Sequence, residues 1–318
     1  MTIRIGTRGS ALALAQAGAV ATAIEAQGEA CELVVVRTEG DVSQASLAQI
    51  GGTGVFAGAL RRSLAAGECD LVVHSLKDLP VLPVPGLVVA GIPVREDARD
   101  ALCARDGLTL DTLPAGAVVG TGSPRRRAQL MERRPDLAVR DLRGNVDTRL
   151  AHVAEGRLDA VVLSLAGLTR LGRTAAVTEV LPLESWPTAA GQGALALEIR
   201  ADDAASLDSA QQAPVAAAVR RLTDPVAMAA ATAERAVLGR LEAGCVAPIG
   251  VASAVDEGGV ALWASVHEPG GGRRLDRRIE RPASAADRVA VLTAAANRLA
   301  DELLDAGAGA LAPLGGAA

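Results

Sequence analysis

Lys77 and Asp78 stand side by side in the run His74-Ser75-Leu76-Lys77-Asp78-Leu79-Pro80, and Lys77 is the single lysine among 32 Lys and Arg residues. A lysine ammonium is a compact point charge with three rotatable donors, whereas arginine is a flat five-donor fork. A chain that spells every other cation as Arg either needs a small ammonium beside this carboxylate or kept one lysine by composition alone. Asp78 follows a short apolar run. In a cleft such a carboxylate is suited to general acid–base work, and in a surface turn it is simply half of an ion pair. Cys245 lies in Gly244-Cys245-Val246-Ala247-Pro248-Ile249-Gly250, a loop between a helix and a strand. A loop thiol serves as a nucleophile or covalent tether, or it is inert. Two further runs point to anions. Thr7-Arg8-Gly9-Ser10 and Thr121-Gly122-Ser123-Pro124-Arg125-Arg126 each end a strand at a helix N-terminus, where backbone N–H groups and the helix dipole favour negative charge. The same serines also read as plain N-caps. Two such ends facing each other across a cleft would hold a ligand rich in carboxylates or phosphates. Residues 123–149 hold eight Arg against four acids, which suits a solvated helix face, an anion-binding wall or a DNA patch.

The elements that must position these residues follow from periodicity and turn chemistry. Thr2–Thr7 alternates as a strand, and Ser10 opens a helix to about Ala26. Leu33–Val36 is a strand, Val55–Ala66 a helix, Asp70–His74 a buried strand and Leu87–Ile92 another. A second block repeats the alternation: strand Ala117–Thr121, a helix opened by Ser123 and Pro124, strand Leu137–Asp141, helix Val146–Ala154, strand Asp159–Leu163 and short helix Leu165–Leu171. Pro182–Pro187 reads as a connector, and Gly191-Gln192-Gly193 as a turn into a strand through Ile199. Alternation of this kind predicts α/β lobes with parallel βαβ units. The last third differs. A helix over Pro225–Leu241, three strands (Ile249–Ala254, Val260–His267, Arg273–Glu280) and a helix over Ala285–Leu304 predict a small α+β domain with an antiparallel three-stranded sheet. Ala201–Leu222 reads as surface and the Gly/Ala-rich 307–318 as a flexible tail.

Composition excludes several classes. The chain has 318 residues, half of them apolar, which allows two or three domains and excludes disorder. Its aromatics are Phe56, Trp186 and Trp263 alone, too few for the stacking platforms of single-stranded nucleic-acid binders. A net charge of −5 points the same way. There is no GxxxxGK[ST], so no P-loop, and no Cys or His at metal spacing, so no metal is expected. Cys31, Cys69, Cys103 and Cys245 are far apart and read as free thiols in a reducing compartment. The opening residues read as a strand and helix rather than a signal peptide. The apolar run Leu79–Val94 is broken by four prolines and is no membrane span.

Taken together, seven runs resemble the porphobilinogen deaminase (hydroxymethylbilane synthase) family, in that family's order and over nearly the whole chain. They are Thr7–Ala13, His74–Pro80, Gly120–Arg126, Leu142–Leu150, Ala166–Gly172, Gly191–Gly193 and Gly244–Gly250. The resemblance implies stepwise head-to-tail joining of four porphobilinogen molecules to 1-hydroxymethylbilane with release of ammonia, by an enzyme of the transferase class. It implies a dipyrromethane cofactor bound through a thioether to Cys245. It makes Asp78 the catalytic carboxylate, assisting departure of the amine and stabilising positive charge on pyrrole nitrogen. Lys77, Ser10, Ser123, Arg125, Arg126 and Gln192 fall on cofactor positions. Arg8, Arg143, Arg149, Arg170 and Phe56 fall on substrate positions, the arginines gripping acetate and propionate groups. The implied fold is α/β with three domains. Two are lobes like type II periplasmic binding proteins, over 1–93 with 194–222 and over 99–188. The third is the small α+β domain over 225–306. A cytoplasmic monomer with a small-molecule substrate and no nucleic-acid or membrane partner is expected. In the loop Ala45–Phe56, Gln49 and Thr53 stand where relatives carry basic residues. The competing reading is a non-catalytic two-lobed binding protein for a polycarboxylate.

Overall fold

The structure is a computed structural model and describes residues 2–37, 54–207, 213–243, 247–284 and 286–314. The first stretch runs β1 (Thr2–Thr7), α1 (Ala11–Glu25), β2 (Ala30–Val35), α2 (Gly54–Ala65), β3 (Leu71–Ser75) and β4 (Leu87–Gly91). The second runs β5 (Asp100–Ala104), β6 (Val118–Gly120), α3 (Pro124–Arg133), β7 (Ala138–Arg140), α4 (Val146–Ala154), β8 (Ala160–Ser164), α5 (Leu165–Arg170) and β9 (Glu179–Leu181). Then come β10 (Leu195–Arg200), α6 (Ala201–Ala204), α7 (Pro214–Leu222) and α8 (Pro225–Arg240). The chain closes with β11 (Ile249–Val255), β12 (Gly259–His267), β13 (Arg274–Pro282), α9 (Arg288–Asp305) and α10 (Ala308–Leu311).

Local chemistry sets the starts of the site-bearing helices. The Ser10 hydroxyl accepts from Ala13 N at 3.3 Å, and the Ser123 hydroxyl from Arg126 N at 3.4 Å, with Pro124 at the first helical position. Each satisfies one of the orphan donors of a helix start. The Asn145 side chain does the same for α4, accepting from Thr148 N at 2.8 Å.

The strands form two five-stranded sheets, ordered β2-β1-β3-β10-β4 and β7-β6-β8-β5-β9, and a three-stranded sheet β11-β12-β13. Each large sheet has a parallel trio, β2-β1-β3 or β7-β6-β8, beside a strand running the other way. The meander β11-β12-β13 is antiparallel throughout, and α9 packs against β12 and β13. The chain is thus α/β with a small antiparallel α+β body. It divides into two compact units, Met1–Glu96 with Ala194–Met228, and Asp97–Gly193 with Ala229–Ala318. Within the second unit the lobe and the α+β body keep separate cores. Leu102, Val119, Leu130, Val162 and Trp186 belong to one, and Val251, Leu262, Leu292, Leu299 and Leu303 to the other.

Two expectations fail. Ala201–Leu222 is not plain surface: Val215, Ala216, Ala218 and Val219 of α7 are buried in the core of the first unit. Alanine is small enough to let a helix lie close to a sheet, so an apolar face of small residues escapes a search for large ones. The 307–318 tail is not free as a whole. Its α10 packs Ala308, fully buried, into the C-terminal core with Ala312, and Leu314 bridges Ala243. Two strands, β5 and β9, were not anticipated at all. Both are short, and their pairing partners are distant in sequence.

Candidate functional site

In the first unit, β1 and β3 are parallel neighbours that deliver the Arg8–Ser10 loop and the Lys77–Asp78 turn. Leu76–Asp78 is a single 3-10 turn, held by Leu76 N donating to Ala194 O at 3.0 Å and Leu79 N donating to Leu76 O at 3.1 Å. Leu76 and Leu79 are buried, which leaves Lys77 half-buried and turns Asp78 outward. A concavity of about 80 Å³ is lined there by Arg8, Ser10, Gln16, His74, Ser75 and Asp78 among others. Gln16 on α1 and Ser75 at the end of β3 are hydrogen-bonded, Nε2 to Oγ, at 2.8 Å. The concavity therefore offers a guanidinium, hydroxyls, an amide and a carboxylate, a set able to bind an acidic, N–H-bearing ligand.

Beneath it lies a buried ion cluster that the sequence reading missed. His74 Nε2 donates to Glu198 Oε2 at 3.0 Å, and Arg61 on α2 reaches Glu198 Oε1 at 2.8 Å. Burial alone would raise the Glu198 carboxyl, but hydrogen bonds from His74 and Arg61 bring it below its ordinary value of 4.5. A carboxyl depressed by folding stabilises the fold above its unfolded pKa, and that stabilisation is lost as pH falls through the folded value. Glu198→Gln is therefore expected to cost on the order of 3 kcal/mol at neutral pH. Urea unfolding should also show a shallower loss of stability below the ordinary value of 4.5 than wild type shows. Parallel curves for the two proteins would contradict this.

In the second unit, Arg125 and Arg126 open α3 and turn inward, 4% and 6% exposed. The pair is therefore not a solvated face. Both meet Asp100 at the start of β5, which is fully buried. Arg126 grips it as a two-pronged fork, Nε to Oδ2 at 3.1 Å and Nη2 to Oδ1 at 2.6 Å, and Arg125 Nη2 reaches Oδ2 at 2.8 Å. Gln192 Nε2 and Trp186 Nε1 add bonds at 2.8 and 3.0 Å. Burial would push the Asp100 carboxyl up, yet the charges of Arg125 and Arg126 hold it well below the carboxylate range. Two guanidiniums against one carboxylate leave an excess of one positive charge in the cluster. Arg125 Nε, moreover, is buried without a partner. Such a donor set fits a group that carries further carboxylates, as dipyrromethane does.

The remaining residues are placed more loosely. Ser123 caps α3. Arg149 Nε donates to Gly144 O at 2.8 Å, and Arg170 Nη2 to Gly193 O at 2.6 Å, in the turn that also bears Gln192. Arg143 is exposed, 3.9 Å from Asp141. Phe56 lies on α2, and its side chain is outside the described residues, as are Cys245, Gln49 and Thr53. Among the described residues Cys31, Cys69 and Cys103 are free thiols. Burial pushes all three up, Cys103 to about 11, which makes them poor nucleophiles. No group of residues suited to a metal ion occurs among the described residues, and no helix among them is long and apolar enough to cross a membrane.

A family model described as "Porphobilinogen deaminase, dipyromethane cofactor binding domain" matches residues 3–208, and one described as "Porphobilinogen deaminase, C-terminal domain" matches residues 228–301. A porphobilinogen deaminase of Leifsonia xyli is 53% identical over 318 residues, covering 99% of this chain and 95% of that one. Another, of Thermobifida fusca, is 46% identical over 314 residues, covering 96% and 94%. Among solved structures, a nutrient binding protein from Burkholderia cenocepacia bound to methionine aligns over 70% of this chain and 92% of its own, with 15% identity and a TM-score of 0.44.

Proposed function

The chain belongs to the porphobilinogen deaminase family, and from that premise we propose that it is a transferase joining four porphobilinogen molecules head to tail into linear hydroxymethylbilane, with ammonia released at each addition. The observation that carries this reading is the exposed Asp78 carboxylate at one concavity with Arg8 and Ser10. Dipyrromethane, when bound, supplies the primer to which new units are added. Cys245 would hold it covalently, with its carboxylates on Arg125 and Arg126, and with Lys77, Ser10, Ser123 and Gln192 contributing further contacts. Arg8, Arg143, Arg149, Arg170 and Phe56 would bind substrate.

Each of these residues has a physical task. Asp78 hydrogen-bonds the pyrrole N–H and offsets the positive charge that develops on the ring as the aminomethyl amine departs, which lowers the barrier because the charge grows in the transition state. The arginines neutralise acetate and propionate groups in two-pronged contacts and so fix ring orientation. Lys77 brings a compact cation next to Asp78. Lys77→Arg, conservative in a chain of arginines, is expected to lower kcat/KM by about 10- to 100-fold, since the wider fork displaces its neighbours by the ångström that suffices for such losses. Unchanged kinetics would return the lone lysine to an accident of composition. A cytoplasmic monomer without nucleic-acid or membrane partners completes the reading.

The test is incubation of the purified protein with porphobilinogen, following ammonia and the bilane together. Four ammonia per bilane is expected. Tight binding without ammonia release would make the protein a polycarboxylate-binding module instead.

A further inference from the structure

Asp100 accepts five hydrogen bonds on two oxygens, from Arg125, Arg126, Trp186 and Gln192. Two of those donors, Trp186 and Gln192, bound the connector 186–192, and that connector is stitched on its other side to the α+β body. Pro187 O accepts from Arg125 Nη1 at 3.2 Å and from Gln129 Nε2 at 3.0 Å. Val251 N on β11 donates to Thr188 O at 2.8 Å. Gly191 N donates to Glu234 Oε2 at 2.8 Å, and Glu234 Oε1 accepts from Ser253 Oγ on β11 at 2.6 Å. The approach is close enough that a Cβ on Gly250 would stand 2.4 Å from Pro187 O. Ile249, the first residue of β11, is four positions past Cys245. Hydrogen bonds joined through the connector's own backbone thus lead from the arginine pair and Asp100 to the strand that follows the thiol.

We propose that Asp100 is a positioning residue for cofactor uptake: with Trp186 and Gln192 it clamps the connector 186–192, and so fixes the Arg125–Arg126 pair relative to the strand carrying the Cys245 loop. This rests on the reading of Cys245 as the tether and the arginine pair as the carboxylate site. A group bound covalently at one end and by its carboxylates at the other needs those two anchors at a set spacing. Removing the charge of Asp100 leaves two buried guanidiniums without their counter-ion, free to separate or to draw in water. Among the described residues the Asp100 carboxylate accepts from Arg125, Arg126, Trp186 and Gln192, so the effect of its charge passes through them.

The measurement is the intact mass of denatured protein, read as the fraction of molecules carrying two extra pyrrole units, for wild type, Asp100→Asn, Trp186→Phe and a control. The control is Leu110→Ala, a fully buried apolar residue of the same lobe core whose loss lowers the melting temperature and whose side chain is not a donor to Asp100. Wild type and Leu110→Ala are expected to be loaded alike. Asp100→Asn is expected to show a loaded fraction lower by about tenfold or more, the scale on which losing a supporting partner weakens a site. Trp186→Phe, which removes one of the five bonds, should fall between, and it carries the test if Asp100→Asn does not fold. Equal loading of the variants and wild type overturns the proposal. So does a fall in Leu110→Ala matching that of Asp100→Asn, because loading would then track stability alone. A wild type without the extra mass overturns the underlying reading as well, so the two failures are told apart.

Discussion

Asp78→Asn is expected to keep the fold and the covalently bound group while turnover falls by about 10²- to 10⁴-fold. Asn has the same shape and still accepts a hydrogen bond, but it cannot offset the cation that develops on pyrrole nitrogen. The effect therefore belongs in kcat more than in KM, because the lost interaction strengthens only as the amine departs. The structure makes this a clean experiment. Asp78 is turned outward on its short turn, and the turn is held by buried Leu76 and Leu79 and by backbone bonds rather than by the carboxylate. The melting temperature should accordingly stay within about a degree or two, as is usual for a surface substitution worth under about 0.5 kcal/mol. Near-normal turnover would remove Asp78 from the chemistry.

The second large effect is expected at Cys245. Cys245→Ser should yield a folded protein whose denatured mass equals its sequence, with activity lower by at least about 100-fold. A serine hydroxyl is a far weaker nucleophile than a thiol, so the proposed thioether would have no substitute there. The other cysteines offer no rescue: Cys69 and Cys103 are buried, and burial pushes the thiols of Cys31, Cys69 and Cys103 up. Retained activity together with a retained mass addition in Cys245→Ser would move the attachment elsewhere.

Much of the scaffold was legible because its signals are local. Ser10 and Ser123 cap the helices they announce, Pro124 stands at the first helical position, and the apolar runs before them are the strands β1 and β6. The buried polar clusters were not legible, because their bonds join residues far apart in the chain. Arg125 and Arg126 share their local composition with any basic helix face, and what turns them inward is Asp100, which belongs to a strand that the sequence reading missed. His74 and Glu198 are 124 positions apart. Signals were nonetheless present. Glu198 is a lone acid in the apolar run Leu-Ala-Leu-Glu-Ile, and a charge in a buried strand demands a partner. Trp186 reads as part of a connector, yet a tryptophan that is buried needs an acceptor for its indole N–H, and Asp100 supplies it. The small-residue face of α7 hid for the opposite reason, since Ala216 and Ala218 mark close packing without bulk.

This chain is expected to carry a dipyrromethane group on Cys245 and to build a bilane upon it. The measurement is the mass of the intact, denatured, freshly purified protein, followed by peptide mapping. The expected mass exceeds that of the sequence by two pyrrole units, located on the peptide containing Cys245. A mass equal to the sequence in protein that is active on porphobilinogen would contradict it.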